Sequence, residues 1–185
     1  MPNNHSAVRL APLEAHDREA FIRDNQEAFF HGAMQELDQC DDCFEEDGEI
    51  ISRRTIEEAI DDATAETYRI LLNDETAGGL VLHLDRAAGR GDLVLLFVSP
   101  HVQSRGVGQA AWQAVERLHP EIRVWETVTP YFEKRNIHFY VNRCGFRIVE
   151  FFNSHHPDPR DPDAPQEPGP GFQDGMFRFE KAITS

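Results

Sequence analysis

Lysine is nearly missing from this chain: two residues among 185, against 16 arginines. No Gly-Lys pair exists, which removes a phosphate loop of the GxxxxGK[ST] kind. Basic charge is scarce altogether, with 18 Lys+Arg against 33 Asp+Glu and a formal net charge of −15. Nucleic-acid backbones and anionic membranes both select clustered basic surface, so neither is expected as a partner. No run reaches the roughly 20 apolar residues of a membrane span, and the opening MPNNHSAVRL has no signal-peptide core. Three cysteines, an odd number, fit a reducing cytoplasm better than a disulfide framework.

What is present describes a folded domain. With 40% apolar and 10% aromatic residues, 185 residues can bury a core without disulfides or metals. No internal repeat or dividing linker is visible, so residues 1–185 are read as one domain. Residues 157–171, with six prolines and two glycines, form a loop before the last strand.

Periodicity orders the elements. Residues 7–13 read as a strand, and Asp17 as the N-cap of a helix over 18–34. Residues 36–49 hold eight acids and no base, the composition of a solvated loop. A helix over 54–65 follows. Residues 67–72, 79–84 and 93–98 read as three strands joined by turn-rich breaks, hence antiparallel hairpins. Val107, Ala110, Ala111, Ala114, Val115 and Leu118 then draw an apolar stripe with helical spacing, stopped by Pro120. A strand over 122–128, a helix over 131–144 ended by Gly145, and strands over 147–152 and 176–183 complete the chain. The order β-α-α-β-β-β-α-β-α-β-β predicts a mixed α/β sheet.

Chemistry concentrates between the strand at 93–98 and the striped helix. There the sequence reads SPHVQSRGVG, ending at Gly106 and Gly108. A strand, a glycine-bearing turn and a helix start form an anion site, because free N–H groups and the helix dipole converge on it. Charge placement agrees. By proportion 23 residues should hold about four acids, yet residues 93–115 hold none. Residues 134–149 also lack acids and carry Lys134, Arg135, Arg143 and Arg147. Two acid-free segments in so acidic a chain are expected to hold an anion between them.

The segment Gln103-Ser104-Arg105-Gly106-Val107-Gly108 resembles the Q/R-x-x-G-x-G/A pyrophosphate motif of the GNAT superfamily of acetyl-CoA-dependent N-acetyltransferases. LVLLFVSP before it looks like that family's central strand, and Asn136-Ile-His-Phe-Tyr140-Val-Asn-Arg-Cys-Gly145-Phe146 like the helix closing its cofactor site. The resemblance covers residues 7–183. It implies a mostly antiparallel sheet of about seven strands flanked by four helices, and acetyl-CoA as cosubstrate without a metal. It also implies transfer of an acetyl group to a primary amine of a small molecule or peptide. Cofactor contacts would come from Phe97, Val98, Gln103, Ser104, Arg105, Gly106, Val107, Gly108 and Asn136. Backbone N–H groups near Phe97 and Val98 would meet the acyl oxygen, between splayed strands 93–98 and 122–128.

The resemblance also implies an acid and a base. Glu126, in VWETV, is the candidate base, its pKa expected to be raised beside aromatic surface; an exposed strand residue is the other reading. The family's acid is a tyrosine four residues before the Gly-Phe glycine, where this chain has Val141, with Tyr140 one residue earlier. One residue turns a helical side chain by about 100°. Either the helix is locally irregular, with Tyr140 the acid, or another group serves, Tyr131 being the substitute. A non-catalytic acyl-CoA-binding module on the same fold is the contrasting class. The acids at 36–49 suggest a cationic acceptor, and an exposed C-terminal strand leaves room for a homodimer. Cys40-Asp-Asp-Cys43 has half a zinc site's spacing but no second pair, so it reads as two reduced thiols.

Overall fold

Seven strands form one sheet in the computed structural model of the chain, which describes residues 8–36, 50–103, 105–160 and 175–184. In chain order the elements are β1 (Val8–Pro12), α1 (Arg18–Glu36), α2 (Arg53–Asp61), β2 (Ala65–Leu72), β3 (Glu75–Asp85) and β4 (Arg90–Val98). They continue with α3 (Val107–Leu118), β5 (Val124–Pro130), α4 (Lys134–His138), a π-turn at Phe139–Arg143, β6 (Arg147–Phe152) and β7 (Met176–Ala182). The strands lie in the order β1-β2-β3-β4-β5-β7-β6, and every neighbouring pair is antiparallel except β4 and β5. This is the expected mixed α/β sheet with four flanking helices. No described helix is long and apolar enough to cross a membrane.

Local chemistry explains the joints. Asn73 and Asp74 take φ of 52° and 69° between β2 and β3. Two left-handed residues make the tight turn whose twist suits a hairpin, and Asn and Asp tolerate that conformation best after glycine. Ser52 caps α2, its hydroxyl accepting from the Thr55 N–H at 3.1 Å, a contact of about 1 kcal/mol. Buried Arg69 on β2 donates to Asp17 and Asp24, tying the start of α1 to the sheet.

Two apolar layers sandwich the sheet. On one side Val107, Ala111, Trp112 and Val115 of α3 pack with Leu82, Leu93, Trp125, Phe146 and Phe179. On the other, Phe21 and Ile22 of α1 and Ile56 of α2 pack with Val81, Leu95 and Phe97. A bulge divides β4 between these layers. Val81 pairs with Leu95 and Leu82 with Leu93, leaving Val94 as the extra residue. Leu93 therefore faces α3, while Leu95 and Phe97 face α1.

Two expectations need correction. The helix expected over 131–144 begins at Lys134, and its last turn is π rather than α. In α3 the largest buried side chain is Trp112, outside the expected stripe, whereas Leu118 is half exposed. His119, whose N–H bonds the Val115 carbonyl, takes the buried place at the helix end.

Candidate active site

The site begins where two parallel strands part. β4 and β5 pair over three rungs only, Arg90 with Val124, Gly91 with Trp125 and Asp92 with Glu126. Beyond them β4 runs on to Val98 against β3, and β5 to Pro130 against β7. The last tie is a side chain: Thr127 Oγ1 donates to the Leu93 carbonyl at 2.9 Å. Past that point the β5-facing edge of β4, with Phe97 and Val98 at its end, has no strand partner among the described residues. A fork of this kind offers backbone groups to an inserted chain.

The turn leaving β4 lies at the open end of this fork. Gly106 takes φ 76° as the N-cap of α3, and nothing lies within 4 Å of where its Cβ would stand. Only glycine adopts that conformation cheaply, and α3 has no acid in its first turn. Its first N–H groups therefore meet an open, acid-free approach suited to phosphate. Gly108 packs against Phe139, 3.2 Å from the position a Cβ would take. Val107 is buried beneath the turn and Arg105 is exposed above it. Ser104 lies outside the described residues.

The two acid-free segments meet here. Gln103 donates to the Val98 carbonyl at 3.1 Å and accepts from Arg135 Nη2 at 2.9 Å. Gln109 donates to the Arg143 carbonyl at 3.0 Å. Asn136 is half buried one turn along α4 and donates to Glu133. Of the residues expected to contact a cofactor, the described ones thus line the fork's end, the turn and the facing helix.

The π-turn decides where Tyr140 sits. The Cys144 N–H reaches back five residues to the Phe139 carbonyl at 3.0 Å, and Gly145 follows with φ 80°. A π-turn absorbs one residue more than an α-turn. Counted back from Gly145, Tyr140 therefore takes the phase that a regular helix would give Val141. Its ring is 8% exposed among Phe139, Phe146 and Phe179. Burial holds the pKa of its hydroxyl above the ordinary phenol value. Tyr131, the substitute, is instead exposed and packs on Phe132 and Phe151.

Glu126 is not the residue its sequence context suggested. It is 6% exposed and surrounded by guanidinium groups. Arg90 donates to Oε1, Arg178 to Oε1 at 2.8 Å, and Arg160 to Oε2 at 2.7 Å. Burial alone would raise its pKa, but these three cations outweigh burial and hold it below the ordinary carboxylate value. The expected upward shift is corrected, because the arginines come from distant positions 90, 160 and 178. Asp92, its rung partner, shifts the other way. Although Asp92 is exposed, partial loss of water and then repulsion from Glu126 raise its pKa, against the opposing pull of Arg160 and Arg90. No described group hydrogen-bonds it. Sequence reading passed over Asp92 because only the strand register brings it beside Glu126.

On the α1 side of β4 lies a cavity of about 230 Å³, with Asp24, Glu27, Thr76, Phe97, Ser99 and His101 among its lining. The acids of residues 37–49, together with Cys40 and Cys43, lie outside the described residues. So does most of the proline-rich loop.

Comparison with known proteins gives these features a context. Residues 18–146 match the model of the acetyltransferase (GNAT) family. The chain is 40% identical over 186 residues to Bacillus subtilis (strain 168) protein YrkN, described as uncharacterized, covering 97% of this chain and 96% of YrkN. Its fold is similar to the Escherichia coli ribosomal-protein-S18-alanine N-acetyltransferase, with TM-score 0.66, 14% identity, and coverage of 97% and 96% of the two chains. It is also similar to a Thermoplasma acidophilum N-acetyltransferase in complex with coenzyme A, with TM-score 0.63, 14% identity, and coverage of 96% and 99%. A spermidine N-acetyltransferase chimera from Vibrio cholerae and hSSAT aligns with TM-score 0.64 at 14% identity, covering 95% of each chain.

Proposed function

This chain belongs to the GNAT acetyltransferase family, and from that premise we propose that it transfers the acetyl group of acetyl-CoA to a primary amine. The observation that carries the reading is the fork: a parallel pair ended after three rungs, with a glycine-capped helix start at its open end. The turn at 103–108 supplies N–H groups for the pyrophosphate of acetyl-CoA. Arg135, held by Gln103, adds positive charge, and Asn136 stands on the same helix. Backbone N–H groups along the unpartnered edge of β4 that ends at Phe97 and Val98 hold the cofactor's arm, and those next to the last rung stabilise the oxygen that gains charge as the amine attacks.

The acid and base follow from the two sides of the fork. Tyr140 gives the leaving sulfur its proton, and the π-turn supports this role because it restores the phase that the sequence alone put in doubt. That removes the motive for the alternative, a non-catalytic acyl-CoA-binding module. On the other side the Asp92–Glu126 pair receives the amine. Glu126, held ionised by its arginines, supplies fixed charge; Asp92, hydrogen-bonded by no described group and raised in pKa, takes the proton. The acceptor is a cationic amine in solution, since Glu27 lines the cavity beside Phe97 together with Asp24, whose charge is shared with Arg69.

The test is thiol release from acetyl-CoA with a panel of amines: spermidine, 1,5-diaminopentane and a peptide with N-terminal alanine. The first and last follow the names of proteins with similar folds. Turnover with at least one amine is expected. Tight coenzyme A binding with no thiol release for any amine would overturn transfer in favour of a binding module.

A further inference from the structure

We propose that Lys181 is a positioning residue for Tyr140. Its ammonium closes the π-turn at the Cys144 carbonyl and so holds the extra residue that gives Tyr140 its phase. The inference rests on the reading of Tyr140 as the acid.

The backbone at the end of α4 has two possible registers. A regular helix would pair the Cys144 N–H with the Tyr140 carbonyl, four residues back. Here that N–H bonds the Phe139 carbonyl at 3.0 Å, and the Tyr140 carbonyl accepts from the Phe146 N–H at 2.9 Å. The regular pairing would turn the Tyr140 side chain by about 100°, away from Phe139, Phe146 and Phe179. The two registers make similar backbone bonds, so groups outside the turn decide between them. The last carbonyls of a helix have no partner within it, and here neighbouring elements supply one. Gln109 of α3 donates to the Arg143 carbonyl at 3.0 Å, and Lys181 Nζ of β7 donates to the Cys144 carbonyl at 2.7 Å. Cys144 is thus held on both sides, its N–H by Phe139 and its carbonyl by Lys181.

Lys181 is itself fixed. Register sets it opposite Trp125, on the face toward α3. There its ammonium pairs with Glu116 and lies 5.9 Å from the centre of the Trp112 ring. Gln109 and Glu116 are two helical turns apart, so one face of α3 serves both carbonyls. The lysine stem passes Gly145, where a Cβ would stand 3.6 Å from Cε and 3.7 Å from Nζ. A compact ammonium carries three donors into this small space, whereas a guanidinium spreads its donors over a planar fork. That accounts for a lysine in a chain with 16 arginines and two lysines. Positive charge beside C-terminal carbonyls is also favoured by the helix dipole. An apolar side chain at 181 would leave the carbonyl of buried Cys144 without its donor and Glu116 without its cation.

The experiment reads Tyr140 directly and then the rate. The chain has three tyrosines. Fluorine NMR of the full chain labelled with 3-fluorotyrosine follows them, and Tyr140→Phe identifies the Tyr140 signal. Lys181→Met should shift or split that signal and leave those of Tyr68 and Tyr131 in place. It should also lower kcat about tenfold, with both KM values within about twofold. The substrates are acetyl-CoA and spermidine, or whichever panel amine the enzyme accepts. Glu116→Gln keeps an acceptor for the ammonium, so it should keep the signal and about half or more of kcat. The Lys181→Met, Tyr140→Phe double variant should be no slower than Tyr140→Phe. Thermal melting is followed for each. If Lys181→Met melts below assay temperature, Lys181→Gln replaces it, its amide nitrogen one bond short of the carbonyl. An unmoved Tyr140 signal or full kcat in Lys181→Met would overturn the inference while leaving Tyr140 its role. So would equal losses in Glu116→Gln, or multiplicative losses in the double variant. Full kcat in Tyr140→Phe would overturn that role and the inference with it.

Discussion

Asp92 stands opposite Glu126 on the last rung that joins β4 to β5. Side chains paired across a rung share a face, so two carboxylates occupy the foot of the fork together. Three arginines gather on Glu126, while loss of water and then repulsion from Glu126 raise the pKa of Asp92, which no described group hydrogen-bonds.

The pair should divide function from stability. Asp92→Asn is expected to lower kcat by about 100-fold. Because the Asp92 pKa is raised, its ionised form costs stability above that pKa, and the amide should melt higher than the parent near pH 7. An unchanged kcat would contradict the first statement, and a lower melting temperature the second.

Glu126→Gln should behave in the opposite way. It leaves Arg90, Arg160 and Arg178 facing a neutral group, and because Arg90 and Arg160 are about half exposed the cost is about 1–2 kcal/mol. For a chain of this length that is roughly 2–8 °C in Tm. Its depressed pKa means this stability is present above the unfolded value near 4.5 and is lost as pH falls through the folded one. The Tm difference between parent and variant should therefore be full at pH 7 and shrink below about pH 4.5. Titration calorimetry is not needed; melting curves across pH suffice.

At the phosphate turn, Gly106→Val forces a branched side chain into a left-handed conformation at the N-cap of α3. The acetyl-CoA KM should rise by about tenfold or more, with the amine KM little changed. Steady-state kinetics with each substrate varied in turn will show whether the effect is confined to the cosubstrate.

A cationic acceptor should respond to Glu27→Gln in the cavity beside Phe97. Its KM should rise a few-fold, and the rise in KM with salt expected of the parent should flatten. The acetyl-CoA KM serves as the internal control. An amine KM indifferent to both substitution and salt would sink the assignment.

Cys144 is buried, and burial pushes its thiol pKa up to about 12. In a Cys40→Ser, Cys43→Ser background it should react with thiol reagents only on unfolding. Rapid labelling of the folded variant would show that the α4 turn opens.

Much of this protein is written in patterns that act over a few residues. Alternation and turn residues placed β2, β3 and β4, the apolar spacing placed α3, and the acid-free segments marked where phosphate would sit. Gly106 and Gly108 were legible because a left-handed N-cap and a close approach to Phe139 exclude larger residues. Trp112 escaped the helical stripe, since a side chain that large reaches the core from its margin.

What the sequence determined alone was therefore local: the element order, the sheet class and the glycine-bearing turn before α3, each set by backbone preference or spacing. Tertiary structure decided the chemistry of the side chains. Arg160 and Arg178 come from beyond position 150 to lower the Glu126 pKa, register sets Asp92 beside it, and one π-turn sets Tyr140 among Phe139, Phe146 and Phe179. Charges and hydrogen bonds act through space at a few ångströms, and a linear sequence does not reveal which distant residues will share that space.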